Sequence, residues 1–139
     1  MALRFLLDTN VVSELTKLAP NQAVVLALAR HEAECAISAP SLEELAFGCA
    51  RVASPQRRAW FSQWLDGLVA RMAVLPFDAQ AALWLGAERA RLAQLGRAAP
   101  RTDGEIAAVA VVRGLTLVTH NGHDFKHFKA LSLTDWHAN

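Results

Sequence analysis

The stretch RFLLDTNVVSEL, residues 4–15, places an acid directly after a short apolar run. The run at residues 5–7 is typical of a buried strand, and the residues that follow are typical of a helix. Asp8 therefore stands where the first predicted strand ends. Ligands of open α/β sheets bind at the carboxyl ends of the strands, so Asp8 is a candidate site residue.

The same alternation of strand and helix continues along the chain. The predicted strands are residues 4–7, 35–38, 73–75, 115–119 and 130–133. Small polar residues are predicted to begin the helices, because their side chains can accept free N–H groups of a first turn. They are Asn10 (before residues 11–17), Ser41, Ser54, Asp78 and Thr102. Gly96 and Gly114 are predicted to end helices in the left-handed conformation. The pattern predicts a single domain over residues 1–139, of the α/β class, with three α/β/α layers around a mainly parallel central sheet.

The composition excludes several classes of protein. The chain has 139 residues, 53% of them hydrophobic and 19% charged, which excludes a disordered chain. The net charge of +1 gives no support to a protein that coats nucleic acid through bulk charge. Cys35 and Cys49 lie in apolar segments without C-x-x-C spacing, so we expect reduced, buried thiols.

The sequence also predicts the compartment. No charge-free apolar run approaches the roughly 18 residues of a membrane span. Residues 1–10 lack the basic start, long apolar stretch and cleavage site of a secretory signal. We therefore expect a cytoplasmic protein without a membrane partner.

Polar side chains are predicted to meet at one edge of the sheet. Asp8 ends the first strand, and Glu44 is expected in the first turn of the helix after the second strand. Asp103 stands at a predicted helix start, while Asn121 and Asp124 follow the strand at residues 115–119. Because the carboxyl ends of parallel strands share one edge, this placement predicts a site even without any family likeness.

Clustered carboxylates suggest a metal centre. Neighbouring carboxylates raise one another's pKa, and a hard divalent cation offsets their repulsion. Mg²⁺ and Mn²⁺ prefer such oxygen ligands. Metals held in this way can activate water and polarise a phosphoryl oxygen, so the natural chemistry is phosphodiester hydrolysis.

Four segments, in order, carry a family resemblance: LLDTNVVSEL (6–15), SLEELAFG (41–48), DGEIAA (103–108) and THNGHDF (119–125). They resemble the acidic motifs of the PIN-domain family, in particular the VapC-type toxins of type II toxin–antitoxin systems. The closing pair Asp135 and Trp136 also resembles that family. The likeness spans nearly the whole chain, and four ordered motifs are far more specific than any one of them.

The resemblance implies a PIN-like α/β/α fold and a Mg²⁺- or Mn²⁺-dependent endoribonuclease toxin that cuts RNA. It also implies a cognate VapB-like antitoxin that inhibits the enzyme, and a homodimer. The residues that it implies as catalytic acids and metal ligands are Asp8, Glu44, Asp103 and Asp124. The residues implied to position those acids and the attacking water are Thr9, Asn10, Thr119 and Asn121.

The sequence departs from the family pattern at two places. His120 stands where the family more usually has Arg, which weakens any expectation of a phosphate contact there. Gly104 and Glu105 replace a more typical apolar pair, and Glu105 could add an acid to the site.

Each acid also has a purely structural interpretation. Residues 41–44 fit a capping box, in which Glu44 would reach back to a backbone N–H, and residues 102–105 have the same spacing. Asp103 suits a first helical turn through the helix dipole, and Asp8 could cap the helix after it. Capping does not explain why these helix starts share one edge with four matching motifs, which favours function.

Histidines offer a second candidate site. The spacing of His120, His123 and His127 could suit a transition metal or acid–base cleavage of RNA. With Lys126 and Lys129 nearby, a solvated basic surface is the favoured interpretation.

Two further groups on the helices have a default structural interpretation. Arg51, Arg57 and Arg58 are predicted to form a charged helix face that could also contact RNA or antitoxin. Trp60 and Trp64, one helical turn apart, are predicted to pack in the core, with a dimer contact as the alternative.

Two other function classes remain open. One is a catalytically inactive PIN-like module that binds RNA or a partner without turnover. The other is a phosphohydrolase of the haloacid-dehalogenase kind, which also has an acid after its first strand. The residues after Asp8 lack the second Asp that its nucleophile motif requires, so this alternative ranks last.

Overall fold

The central sheet carries the residues of interest at one edge. A computed structural model describes residues 2–138. Within them, five short strands form the sheet: β1 (Phe5–Leu7), β2 (Cys35–Ser38), β3 (Ala73–Leu75), β4 (Thr116–Val118) and β5 (Ser132–Thr134). Their order is β3-β2-β1-β4-β5, and every pairing is parallel. The predicted parallel sheet is confirmed, with β1 at its centre.

The strand bounds follow the prediction with small shifts. β2 and β3 have the predicted bounds, while β1 and β4 are one residue shorter at one or both ends. The last strand begins at Ser132 rather than at residue 130, because Ala130 has a positive φ of 65° that a strand cannot accommodate.

Seven helices lie within the described residues. They are α1 (Thr9–Ser13), α2 (Gln22–His31), α3 (Ala39–Ala50), α4 (Pro55–Arg71), α5 (Ala79–Gln94), α6 (Arg101–Arg113) and α7 (Gly122–Phe125). Ser54 and Asp78 cap α4 and α5 as predicted, each accepting from a backbone N–H three residues on. Gly96 and Gly114 have φ values of 71° and 66° and end their helices as predicted.

Three predicted helix starts are wrong. α1 begins at Thr9 with Asp8 as its cap, rather than after Asn10, and the predicted helix at 11–17 ends at Ser13 and continues as a 3-10 turn, Glu14–Thr16. α3 begins after Ser38 rather than Ser41, because Ser38 is still extended and Pro40 fits the first turn. α6 begins at Arg101, ahead of Thr102, and α2 has no counterpart in the prediction.

The helices cover both faces of the sheet, as the three-layer prediction requires. Leu6 of β1 faces a core built with α5 and α6, whereas its neighbours Phe5 and Leu7 face a second core built with α1 to α4. Trp64 packs against that second core as predicted. Trp60 is 53% exposed, so the core interpretation is wrong for this residue.

Two further sequence expectations meet the structure here. Among residues 2–138, no helix is long and apolar enough to cross a membrane. Cys35 and Cys49 are both free, as expected, with Cys35 buried and Cys49 half-buried. Burial raises the pKa of the Cys35 thiol to about 12, so it behaves as a neutral core side chain.

Candidate active site

Asp8 is fixed at the end of β1 by its neighbours in the sheet and by the helix it caps. Its backbone N–H donates to the Val118 carbonyl at 2.9 Å. Its Oδ1 accepts from the Thr9 N–H at 2.8 Å, and its Oδ2 accepts from the Thr119 hydroxyl at 2.9 Å. The capping role is therefore real, but a carboxylate offers about four acceptor positions and Asp8 retains free ones.

Glu44 reaches the same edge from α3. It lies in the second turn of that helix, one turn later than predicted. Thr9 Oγ1 donates to Glu44 Oε1 at 2.5 Å. The capping-box interpretation is wrong, because the N–H of Ser41 donates to Ser38 Oγ at 3.2 Å instead of to Glu44. The exposed Glu44 side chain therefore faces α1, next to Asp8.

Asp103 is placed by the close packing of α6 on α5. It lies half-buried in the first turn of α6. A Cβ atom at the adjacent Gly104 would lie 2.9 Å from Leu85 Cδ1 of α5. The glycine that departs from the family pattern thus permits the close approach of the helix start that carries Asp103.

Asp124 comes from the short helix after β4. It is exposed in the first turn of α7, where the sequence suggested a loop. Its N–H donates to the Asn121 carbonyl at 2.9 Å, and the following Phe125 is 1% exposed and anchors α7 to the core. The turn is therefore fixed, although the Asp124 carboxylate makes no hydrogen bond within residues 2–138.

The charges of the four acids act on one another. The pKa of Asp103 is raised to about 6, first by burial and then by the negative charges of Asp8, Asp124 and Glu44. Burial also raises the pKa of Asp8, against the hydrogen bonds from Thr119 and Thr9, and the charges of Glu44 and Asp124 add to the increase. Four segments that are distant in sequence thus form one acidic site.

The four acids do not form a compact set of metal ligands. In the part of the chain that the structure describes, no three of these four carboxylates have oxygens that all lie within 4.8 Å of one another. Mg²⁺ usually keeps several waters and contacts only one or two carboxylates directly, so it does not require three carboxylates that close together. Partly buried carboxylates with raised pKa values are stabilised in their charged form by such an ion.

A family model described as "PIN domain" matches residues 5–131. The chain belongs to the PIN domain family. The predicted resemblance is confirmed, and the haloacid-dehalogenase alternative is wrong.

Relatives of this PIN domain are found among curated proteins and solved structures. "tRNA(fMet)-specific endonuclease VapC" of Shigella flexneri is 35% identical over 134 residues, which cover 96% of this chain and 98% of that protein. The DNA-bound VapBC crystal structure from Salmonella typhimurium has a TM-score of 0.83 at 31% identity, covering 96% of this chain and 98% of the other. The FitAcB crystal structure from Neisseria gonorrhoeae has a TM-score of 0.86 at 28% identity, covering 93% and 95%.

The supporting residues of the PIN domain divide into two pairs. Thr9 and Thr119 donate hydroxyl hydrogen bonds to Glu44 and Asp8, and their role in positioning these acids for catalysis stays a prediction. Among residues 2–138, the side chains of Asn10 and Asn121 make no hydrogen bond to the acids. Asn121 contributes its backbone, whose N–H donates to Thr119 Oγ1 at 3.0 Å.

Glu105 does not join the four acids. Its Oε2 lies 3.4 Å from Arg101 Nε, and it lines a cavity of about 270 Å³ between α5 and α6 with Phe77 and Arg89. Its charge is not among those that raise the pKa of Asp103. The suggestion that it adds an acid to the site is therefore wrong.

The predicted histidine trio is divided between two places. His127 lies against Arg97, with its Nδ1 2.9 Å from a guanidinium nitrogen, and its ring is 6.5 Å from that of His123. His120 instead contacts Asp135, with its Nδ1 2.9 Å from Oδ2. The three imidazoles therefore do not form one metal site or one acid–base pair.

Sequence reasoning missed a buried carboxylate in the first motif. Glu14 is 5% exposed, and hydrogen bonds from Lys17 and from the Asn21 N–H lower its pKa to about 2. His137 Nε2 lies 3.5 Å from Glu14 Oε1. The only sequence signal was an acid among the apolar residues of the opening stretch.

Proposed function

We propose that this PIN domain is a divalent-metal-dependent endoribonuclease and the toxin of a toxin–antitoxin pair. The observation that carries the proposal is the convergence of four acids, in which the charges of Asp8, Asp124 and Glu44 raise the pKa of Asp103. Relatives over nearly the whole chain bear the names endonuclease and ribonuclease, which supports RNA as the substrate.

Those four carboxylates would hold Mg²⁺ or Mn²⁺. When bound, such an ion supplies Lewis-acid polarisation of a phosphoryl oxygen and a water of lowered pKa. The protein's part is preorganisation, because Thr119 and the Thr9 N–H fix the two oxygens of Asp8, and the Thr9 hydroxyl fixes one oxygen of Glu44. A site held within fractions of an ångström loses little energy to reorganisation.

An apolar groove beside the acids supports an antitoxin partner. The groove has a volume of about 250 Å³ between α1, α3 and α4, and its lining includes Thr9, Glu44, Gly48, Phe61 and Trp64. Solved neighbours with this fold are titled as VapBC and FitAB complexes, and we propose the same kind of partner for this chain. An apolar antitoxin segment in this groove would end at the acids, where a basic side chain finds complementary charge.

Three basic side chains lie next to Val52 and Phe61, which line the groove. Arg51 lies over the Phe47 ring at 5.2 Å, and Arg57 lies over the Phe61 ring at 5.8 Å. Arg58 donates to the Val52 carbonyl at 2.9 Å. They are exposed, as the charged-face interpretation predicts, and we propose that Arg51 and Arg57 contact RNA phosphates.

The homodimer stays a prediction. Leu18 and Trp60 line one shallow pocket and are 107% and 53% exposed. A second copy covering these two side chains would bury two of the large apolar side chains that the described residues leave exposed.

Cleavage of defined RNAs, beginning with a tRNA pool, tests the function. The reaction is run with Mg²⁺ or Mn²⁺, with EDTA, and with the Asp8→Asn and Asp103→Asn variants. Asp66→Asn is the matched control, because Asp66 is an exposed acid of α4 outside the site. We expect 5′-phosphate and 3′-hydroxyl ends, and a loss of at least about 100-fold in both site variants and in EDTA.

Other outcomes would contradict the proposal. Products ending in a 2′,3′-cyclic phosphate and insensitive to EDTA would assign cleavage to groups other than the acids. Full activity of Asp103→Asn would remove that residue from the site. RNA binding without turnover at every metal concentration would favour the catalytically inactive module.

A further inference from the structure

Two histidines and one aspartate converge outside the acidic site. They are His120, directly after β4, and Asp135 and His137 in the tail after β5. Each offers one ligand atom, and these atoms all lie within 4.8 Å of one another. Among residues 2–138 this is the only such group of His, Cys, Asp and Glu side chains.

Asp135 holds the two imidazoles with different oxygens. Its Oδ2 lies 2.9 Å from His120 Nδ1, and its Oδ1 lies 3.2 Å from His137 Nδ1. The two rings are stacked, with centroids 3.9 Å apart and an interplanar angle of 22°. The near-parallel rings therefore present a nitrogen each to the same carboxylate.

These distances are close to those of a metal coordination shell. Zn²⁺ binds imidazole nitrogen and carboxylate oxygen at about 2.0–2.2 Å, which places neighbouring ligands of a tetrahedron about 3.3 Å apart. His120 has a side chain that is 53% exposed, so its ring can turn into a shell without disturbing the core. The side chain of His137 is only 10% exposed and already held in place.

Glu14 occupies the position of an orienting partner. Its Oε1 lies 3.5 Å from His137 Nε2, on the side of the ring away from Asp135. Metal-binding histidines usually donate their second ring N–H to such a carboxylate, which fixes the tautomer and orientation. Hydrogen bonds from Lys17 Nζ at 2.9 Å and the Asn21 N–H at 2.8 Å hold Glu14 in that place.

We propose that His120, Asp135 and His137 bind one first-row transition metal ion, with Zn²⁺ as the ion to test first. Two imidazoles and one carboxylate are the donor set that such ions prefer, in contrast to the all-oxygen set that suits Mg²⁺. Three protein ligands leave a fourth position for water or another ligand.

The proposed ion would tie the tail to the sheet. His120 follows Thr119, whose hydroxyl donates to Asp8, while Asp135 and His137 belong to the tail. The tail is already joined to the start of α2, because Asn21 Nδ2 donates to the Ala138 carbonyl at 2.9 Å. A bound ion therefore stabilises the folded state by holding these separate segments together.

Zn²⁺ titration of the untagged protein tests the site. The parent is the Asp8→Asn/Asp103→Asn double variant, so that the acidic site does not contribute, and binding is followed by calorimetry and by melting temperature. We expect one Zn²⁺ per chain in the parent and its loss in added His120→Gln or His137→Gln. The matched control is His123→Gln, an exposed histidine outside the group.

Glu14→Gln separates the orienting role from direct ligation. We expect it to keep the stoichiometry of one and to weaken Zn²⁺ binding by about 10- to 100-fold. A Zn²⁺ stoichiometry and affinity unchanged by the His120→Gln/His137→Gln pair would overturn the proposal, as would the absence of Zn²⁺ binding by the folded parent.

Imidazole NMR signals test the site without any substitution of the proposed metal ligands. On addition of Zn²⁺ to the parent, the ring signals of His120 and His137 shift together while that of His123 stays in place. Equal shifts of all the histidines would indicate surface binding and would contradict the site. This measurement decides the question even if the His137 variant fails to fold.

Discussion

Asp103 and Gly104 show how one turn of helix serves both packing and chemistry. Gly104 lets the start of α6 approach Leu85, and burial is the largest cause of the raised pKa of the adjacent Asp103. The sequence identified Asp103 from its motif but gave Gly104 only as a departure from the family pattern. The glycine is needed there because the start of α6 contacts Leu85 of α5, and motif spacing does not reveal that contact.

The raised pKa of Asp103 predicts a pH dependence for the metal-free protein. The folded state binds the proton of the Asp103 carboxyl more tightly than the unfolded state does, since its pKa is about 6 in the folded state instead of the ordinary 3.8. The contribution of protonated Asp103 to the stability of the folded state is fully present below pH 3.8, and it is lost as the pH rises through about 6. Asp103→Asn should therefore melt higher than the wild type in EDTA at about pH 7.5, by about 3 °C.

The same pair of proteins provides the control. At about pH 5 the advantage of Asp103→Asn should shrink, and at the higher pH Mg²⁺ should raise the melting temperature of the wild type more than that of the variant. An advantage of equal size at both pH values would show that the charge of Asp103 is not its cause.

At the scale of elements, helix caps decide where the acids stand. The sequence predicted the caps of α4 and α5 because each follows a loop with a single suitable residue. It placed the caps of α1, α3 and α6 too late, because a strand leads into α1 and α3 without a loop, and Pro100 precedes α6. Ser38 is both the last residue of β2 and the cap of α3.

Ser38 is therefore a test of how the cap of α3 positions Glu44. Its buried Oγ accepts from the Ser41 N–H and donates to Ser41 Oγ, both at 3.2 Å. Ser38→Ala should destabilise the fold by about 1–2 kcal/mol and lower RNA cleavage more than stability alone explains, because the start of α3 shifts. Denaturant unfolding and cleavage rates of the same samples provide the comparison.

Ser54→Ala is the matched control for Ser38→Ala. Ser54 caps α4 in the same way, and α4 carries none of the four acids. We expect a loss of about 1 kcal/mol and a smaller decrease in cleavage than in Ser38→Ala, because the cap of α4 holds Arg57 and none of the acids. Equal activities of the two folded variants would show that the cap of α3 does not set the position of Glu44.

For the whole molecule, the parallel sheet was predictable and the surfaces were not. Apolar runs and helix periodicity are local properties, so they predicted the layers, the strands and the edge shared by the acids. The groove between α1, α3 and α4 and the contact of Glu14 with His137 depend on segments that meet only in the folded chain. No local pattern carries that information.

Filling the groove tests its proposed role in antitoxin binding. A Cβ atom added at Gly48 has no other atom of the described residues within 4 Å, so we expect Gly48→Leu to fold and to occupy the groove. We expect at least a 10-fold loss of affinity for the proposed antitoxin, or about 1.4 kcal/mol. Gly86→Leu is the matched control on α5, because a Cβ atom added there also has no other atom of the described residues within 4 Å. Equal binding by both variants would place the antitoxin elsewhere.

β1 is synthesised early but pairs with a strand that is made near the end of the chain, which delays assembly of the site. The strand that carries Asp8 is made first, yet its partner β4 pairs through Phe5 with Thr116, and the last acid is Asp124. At about 5–20 residues per second, on the order of ten seconds separate Asp8 from Asp124 on the ribosome. The four acids therefore cannot come together until translation is almost complete, and an inhibitor made before this chain has that interval in which to accumulate.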